Sequence, residues 1–234
     1  MILSGSSKAG KTLALMHLGL AAANGLSWMG HKINQECKVV YLDFELVPRL
    51  AKERIKEVIQ HPDNNYTPTK NYLYCGLRGQ NRSLDELALH IQNLKDFNPD
   101  LVIVDPFYKL GGEYDENDAG SVSAVLNKME RFSEKLGCAF VYAHHFSKGN
   151  KSETDHIDRA SGSGVFARDP DAILTLTPHE EEYRLVLEGT LRNFPTPDKQ
   201  VVEFSWPNFI HKPDLEADLR KPGQAAESKK LNES

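Results

Sequence analysis

The sequence predicts an α/β fold, with a mainly parallel central sheet flanked by helices and closed by antiparallel strands toward the C-terminus. Three observations predict it. Strand-like and helix-like segments alternate along most of the 234-residue chain. Asp100–Asp105 (DLVIVD) is a continuous apolar run ending in an acid, the pattern of a buried parallel strand. Near the start, Gly5–Thr12 (GSSKAGKT) sets glycines at both ends of a turn, followed by a lysine and a hydroxyl residue.

The elements follow in order. Met1-Ile2-Leu3 reads as a short buried strand, and Leu13 to Gly25 as the helix behind the glycine turn. Lys38 to Phe44 (KVVYLDF) is β-branched and aromatic, a second core strand. Pro48 to Gln60 is an amphipathic, charged helix, and Asn71 to Leu77 a further strand. Ser83 to Phe97 opens with SLDE, a capping box, and continues as a helix. Gly111 to Gly120 is an acidic loop, Ser121 to Leu136 a helix, and Gly137 its C-cap. Cys138 to Ala143 is the next buried strand, and Gly149 to Gly164 is a polar, glycine-rich loop expected to be mobile. Ala172 to Thr177, Tyr183 to Leu187 and Val201 to Ser205 read as the closing, partly antiparallel strands. The expected domain covers residues 1–212. From Pro213 to the end the chain is charged and poor in apolar residues, which predicts a disordered tail. No internal repeat is present.

Composition narrows the function. A 40% hydrophobic content is enough for one large core. The net charge of −5 gives no overall basic field, so contact with nucleic acid must come from a local patch or from an assembled ring. Cys37, Cys75 and Cys138 are odd in number and unevenly spaced, which argues against a disulfide framework or a metal site and for a reducing cytoplasm. The first apolar residues run straight into the glycine turn, so no signal peptide is expected. No apolar stretch is long enough for a membrane span.

The glycine turn carries the sharpest chemistry. Gly5, Ser6, Ser7, Lys8, Ala9 and Gly10 form a P-loop whose backbone N–H groups face a β-phosphate, and Leu13 continues into the helix whose N-terminus adds partial positive charge. Lys11 reaches the β- and γ-phosphates, and the Thr12 hydroxyl ligates Mg²⁺. The expected ligand is therefore a nucleoside triphosphate with Mg²⁺. Asp105, at the carboxyl edge of the most hydrophobic strand, reads as the second Mg²⁺-holding residue. Asp43 and Glu45 alternate onto one side of YLDFEL, with Phe44 opposite. Either acid can orient the attacking water. Glu45, nearer the sheet edge, is the better candidate. His144 and His145 end the Cys138 strand, where a polar side chain can sense the γ-phosphate. Adjacent residues point to opposite faces, so the pair is not a zinc site. Arg159, Arg168 and Arg192 lie beyond the loop, and one of them can reach a neighbour's γ-phosphate in an oligomer.

Together GSSKAGKT, YLDFEL, LVIVDPFYKL, GCAFVYAHHFSKG and RASGSGVFARDPDAIL resemble the RepA-type branch of the RecA-like ATPases, which contains hexameric replicative helicases of plasmids and related phage or bacterial ATPases. The resemblance runs from about Ile2 to about Phe209. It implies a RecA-like P-loop fold, ATP hydrolysis, assembly into a hexameric ring, and weak binding of single-stranded DNA by each subunit. It implies nucleotide and Mg²⁺ contacts at Lys11 and Thr12, the Walker B acid at Asp105 and the catalytic glutamate at Glu45. It puts the γ-phosphate sensor at His145 with His144 beside it, and the arginine offered across the subunit interface at Arg168. The Gly149–Arg159 loop corresponds to the central-channel loop, with Lys148, Lys151 and Arg159 contacting DNA phosphates. Family members carry a further segment before the P-loop strand that covers the sheet and packs on a neighbour. This sequence begins almost on the P-loop, and the expectation is a shortened start that bears on ring assembly more than on nucleotide binding. The other functions weighed are a RecA-like ATPase that loads or remodels proteins on DNA without unwinding, a small-molecule P-loop kinase, and a nucleotide-binding regulator. The acidic 111–120 loop and the HHFSK block argue against the kinase.

Overall fold

A computed structural model of the protein describes residues 1–80, 82–93, 97–110, 118–145 and 165–220. Its elements are β1 (Ile2–Gly5), α1 (Lys11–Asn24), β2 (Val39–Asp43), α2 (Pro48–Gln60), β3 (Tyr72–Gly76), α3 (Leu84–Asn93) and β4 (Leu101–Asp105). They continue with α4 (Ala119–Leu136), β5 (Ala139–His145), α5 (Val165–Arg168), β6 (Ala172–Pro178), β7 (Arg184–Leu191), β8 (Gln200–Ser205) and β9 (Asn208–His211). The strands form one sheet in the order β3-β2-β4-β5-β1-β6-β7-β8-β9. From β3 to β6 all pairings are parallel, and from β6 to β9 all are antiparallel. The expected architecture is the observed one.

Alternation along each strand splits the core into two layers. On one face Leu3, Tyr41, Ile103 and Ala143 pack against α1 and α2. On the other, Ile2, Val40, Leu42, Val104 and Tyr142 pack against α3, α4 and Phe166 of α5. The helix α1 is apolar nearly all round, and its residues from Leu13 to Ala23 are buried. The predicted capping box of α3 forms: Ser83 N–H donates to Glu86 Oε2 at 2.8 Å, and Glu86 N–H donates to Ser83 Oγ at 3.3 Å. Asp118 caps α4 by accepting from Ser121 N–H at 2.6 Å, so this helix starts two residues before the expected Ser121.

Other limits depart from expectation too. The strand β7 runs on past the expected Leu187 to Leu191, because it stays paired with β6 as far as Ala172. The strand β5 runs on past Ala143 to His145, because it pairs with β1 as far as Gly5. The strand β9 was not expected. It pairs back on β8 through Phe204–Phe209 and Ser205–Asn208, closing the meander. Residues 213–220, expected to begin a disordered tail, are held by main-chain bonds. Glu180 N–H donates to the Asp218 carbonyl and Arg220 N–H to the Pro178 carbonyl, both at 3.1 Å. Packing therefore extends at least to Arg220, and the rest of the expected tail, 221–234, lies outside the described residues, as do most of the acidic 111–120 loop and all of the 149–164 loop.

Candidate functional site

The carboxyl edge of the parallel strands gathers the chemistry. Gly5 ends β1, Asp43 ends β2, Asp105 ends β4 and His145 ends β5. Asp43 and Asp105 are register partners across β2 and β4, and the backbone of His145 pairs with that of Gly5. The end of β1 and the turn after it favour glycine at two places. A Cβ at Gly5 would lie 3.0 Å from the Leu176 carbonyl oxygen of β6, and Gly10 has φ +80° with the Phe209 ring 3.1 Å from where its Cβ would be. Among the described residues no side chain caps the N-terminus of α1, whose amides open onto the loop.

Lys11 is buried and folds back across the loop, its Nζ donating to the carbonyls of Gly5 at 3.0 Å and Ser6 at 2.8 Å. Burial lowers its pKa to about 8, while Asp105 and then Glu45 pull the other way. Asp105 is 1% exposed. Burial pushes its pKa up to about 6, against hydrogen bonds from Tyr41 and Thr12; Asp43 and Glu45 push it higher. Among the described residues the site thus sets the carboxylates of Asp43, Glu45 and Asp105 near Lys11.

Asp43 and Glu45 have separate fates. Asp43 is fully buried, and its Oδ1 accepts from both Glu45 N–H and Leu46 N–H at 2.8 Å while its Oδ2 accepts from the Tyr74 hydroxyl at 3.0 Å. Burial raises its pKa in spite of these bonds. It builds the turn on which Glu45 stands. Glu45 is exposed at the mouth of the site and is close enough to act electrostatically on both Lys11 and Asp105. Phe44 packs in the opposite layer, as alternation requires.

The other expected residues are distributed unevenly. His144 is buried in the α4–α5 layer, stacked on Phe166 with ring centroids 4.1 Å apart. It therefore lies across the sheet from α1, and the fold does not bring it to the P-loop side. Arg168 ends α5. Arg192 donates to the Asp169 carbonyl at 2.8 Å and lies 3.7 Å from the Asp171 carboxylate, within its own chain. Lys148, Lys151 and Arg159 lie outside the described residues.

Two features escaped the sequence reading. Tyr41, wholly buried, donates to Asp105 Oδ2 at 2.8 Å. The signal was present, since Tyr41 alternates onto the same side of β2 as Asp43. A cleft of about 290 Å³ also opens between Ser6–Gly10 and the last strands, lined by Tyr183, Arg184, Phe204, Phe209 and Arg220. Tyr183 is mostly exposed, and Arg184 is paired with Glu181 and Glu203. These residues lie nearly 200 positions from the P-loop in sequence, so no local pattern links them to it.

The residues present fit Mg²⁺. The donors are a hydroxyl and a carboxylate, hard oxygen ligands already bonded to each other, Thr12 to Asp105. Among the described residues no group of three or more histidines, cysteines or acids can hold a metal alone. Mg²⁺ takes one or two protein ligands and completes its shell with phosphate oxygens and water. No helix among the described residues is long and apolar enough to cross a membrane.

Among curated proteins, none is significantly similar to this chain in sequence. Among solved structures, the chain is similar to one described as the structure of a DnaB-like replicative helicase and its interactions with primase, with a TM-score of 0.66 at 13% identity. The match covers 89% of this chain and 57% of that one, so the chain spans little more than half of that helicase. At this identity the likeness establishes the fold, a RecA-like sheet with C-terminal antiparallel strands. A sequence model described as AAA domain matches residues 1–151, more than half of the chain and the stretch that carries Lys11, Thr12, Glu45 and Asp105, so the chain belongs to the AAA domain family of P-loop ATPases.

Proposed function

We propose that this protein is an Mg²⁺-dependent ATPase that works on single-stranded DNA as a ring of copies, a RepA-like replicative helicase of a plasmid, phage or other mobile element, acting in the cytoplasm. The observation that carries the ATPase part is the convergence of Lys11, Thr12, Asp105 and Glu45 at the end of the central strands. The helicase part is supported by the fold likeness and by the sequence motifs, and the adjoining cleft favours a nucleoside over a bare phosphate. Its aromatic rings and guanidinium groups suit a purine.

The chain's own residues act as follows. The loop amides and the α1 N-terminus take the β-phosphate. Lys11 exchanges its two carbonyl partners for phosphate oxygens, and the anion returns its pKa toward the ordinary lysine value. Thr12 and Asp105 would hold Mg²⁺, which would supply charge neutralisation on the phosphates. Glu45, raised on the Asp43 turn, orients water toward the γ-phosphate and accepts its proton. His145 beside Gly5 reports phosphate loss to the loop that follows, and Arg168 of a neighbouring copy stabilises the transferring phosphoryl group. Lys148, Lys151 and Arg159 of several copies line one channel and bind DNA phosphates.

The test combines titration and turnover. Calorimetry should give MgATP binding to the parent protein and none to Lys11→Ala. Hydrolysis should rise with single-stranded DNA, and a forked substrate should be unwound. Unchanged MgATP affinity in Lys11→Ala removes the P-loop reading. Hydrolysis without DNA stimulation favours the kinase or regulator, and stimulation without unwinding favours the loading or remodelling ATPase.

A further inference from the structure

Resting on the ATPase reading, we propose that Tyr41 is a positioning residue for the Mg²⁺ site, fixing Asp105 and the first turn of α1 relative to each other from inside the sheet.

Burying a phenol carries a cost. A hydroxyl with no exposure must find a partner inside the protein. Tyr41 lies in the middle of β2, flanked in register by Tyr74 of β3 and Ile103 of β4. Its ring is held by those of Tyr72 and Tyr74, with centroids 6.3 Å and 6.2 Å away. From that fixed base the hydroxyl donates to Asp105 Oδ2 at 2.8 Å and lies 3.3 Å from the main-chain carbonyl oxygen of Thr12. One phenol therefore touches both residues that would hold the cation. A phenol has a single proton, and the shorter, charge-assisted bond to the carboxylate takes it. With the Tyr41 hydroxyl and the Thr12 side chain both bonded to it, rotation of the Asp105 carboxylate is restricted. Loss of a partner of this kind behind a metal ligand typically costs roughly 10- to 100-fold in metal affinity.

The same cluster contains its own control. The Tyr72 hydroxyl is buried and has no hydrogen-bond partner among the described residues. Tyr72→Phe thus removes a phenolic oxygen from the same group of rings without touching Asp105 or Thr12.

The experiment compares the parent protein, Tyr41→Phe and Tyr72→Phe. Calorimetry gives ADP affinity with Mg²⁺ and with EDTA, hydrolysis is followed against Mg²⁺ concentration, and thermal melting checks the fold. In Tyr41→Phe the Mg²⁺ concentration for half-maximal hydrolysis should rise roughly 10- to 100-fold, the range for lost outer-shell partners. ADP affinity in EDTA should stay within about twofold of the parent. Tyr72→Phe should match the parent in both. In an Asp105→Asn background, Tyr41→Phe should cause no further loss of Mg²⁺-dependent nucleotide affinity. The proposal is overturned if Tyr41→Phe keeps the parent's Mg²⁺ dependence, or if it weakens ADP equally with and without metal, the mark of a purely structural role. A parent protein that does not bind MgATP overturns the ATPase reading itself, a result distinct from either.

Discussion

Asp43 and Glu45 stand two residues apart, yet one is fully buried and bonded through both oxygens while the other faces the pocket mouth. Glu45→Gln should keep ATP binding and lose turnover by about 100-fold or more, the scale of absent general-base help. Asp43→Asn retains an oxygen for the two turn amides and should slow turnover less. Steady-state hydrolysis beside nucleotide titration checks both, and an inverted order would hand the base role to Asp43. This much of the site was legible in the sequence because strand alternation and the position of the sheet edge depend only on local spacing. The preference for Glu45 as base rests on the same spacing, whereas the bond that ties down Asp43 was not legible, since its donor Tyr74 comes from the next strand across. His144 shows the same limit from the other side. Its neighbour in sequence ends beside Gly5, but alternation turns His144 itself into the Phe166 layer.

At the scale of elements, α1 is clamped by the turn that leads into β9. His17 Nε2 lies 2.8 Å from the Pro207 carbonyl, so that nitrogen carries the proton and donates, leaving Nδ1 to accept from the Tyr66 hydroxyl at 3.3 Å. The Phe209 ring meets His17 edge-on. Burial pushes the His17 pKa below the ordinary 6.5, opposed by the Pro207 carbonyl and helped by His61. As pH falls below about 6.5 the unfolded chain takes up a proton that the folded protein refuses, so stability falls with pH through that window. The stabilisation is complete above it. Melting temperature measured from about pH 7.5 downward should therefore decline, and His17→Gln, which still offers a donor but cannot titrate in this range, should flatten that decline. An unaltered slope in the variant would assign the effect to other groups. The clamp was invisible in the sequence for the reason β9 was: Asn208–His211 is four residues long and follows a proline, too short for a periodic signal. By contrast Pro48–Gln60 was read to the residue, since proline at its first turn and a strong amphipathic pattern are local facts. The stretch 213–220 reads as tail by composition, yet Arg220 donates to the carbonyls of His179 at 3.1 Å and Glu181 at 3.4 Å, bonds that composition does not encode.

For the whole molecule, the proposed ring makes each site depend on two copies. Mixing Arg168→Ala with Lys11→Ala subunits should restore part of the hydrolysis that each lacks alone, because some interfaces then join an intact P-loop to an intact arginine. Full activity from a strictly monomeric protein, by mass in solution, would end that idea. The strand order carries a different consequence. The strand β1 is enclosed late, because it lies between β5 and β6 and gains its second neighbour only when residues as far as Pro178 have been delivered. Until then the apolar run of α1 has no finished sheet to cover, and pairing over so long a separation is slow. A nascent chain stalled before β6 therefore leaves this apolar helix exposed. Substitutions that weaken β6 should accordingly reveal themselves as chaperone dependence and loss into aggregates during synthesis, while the molecules that do finish hydrolyse ATP normally.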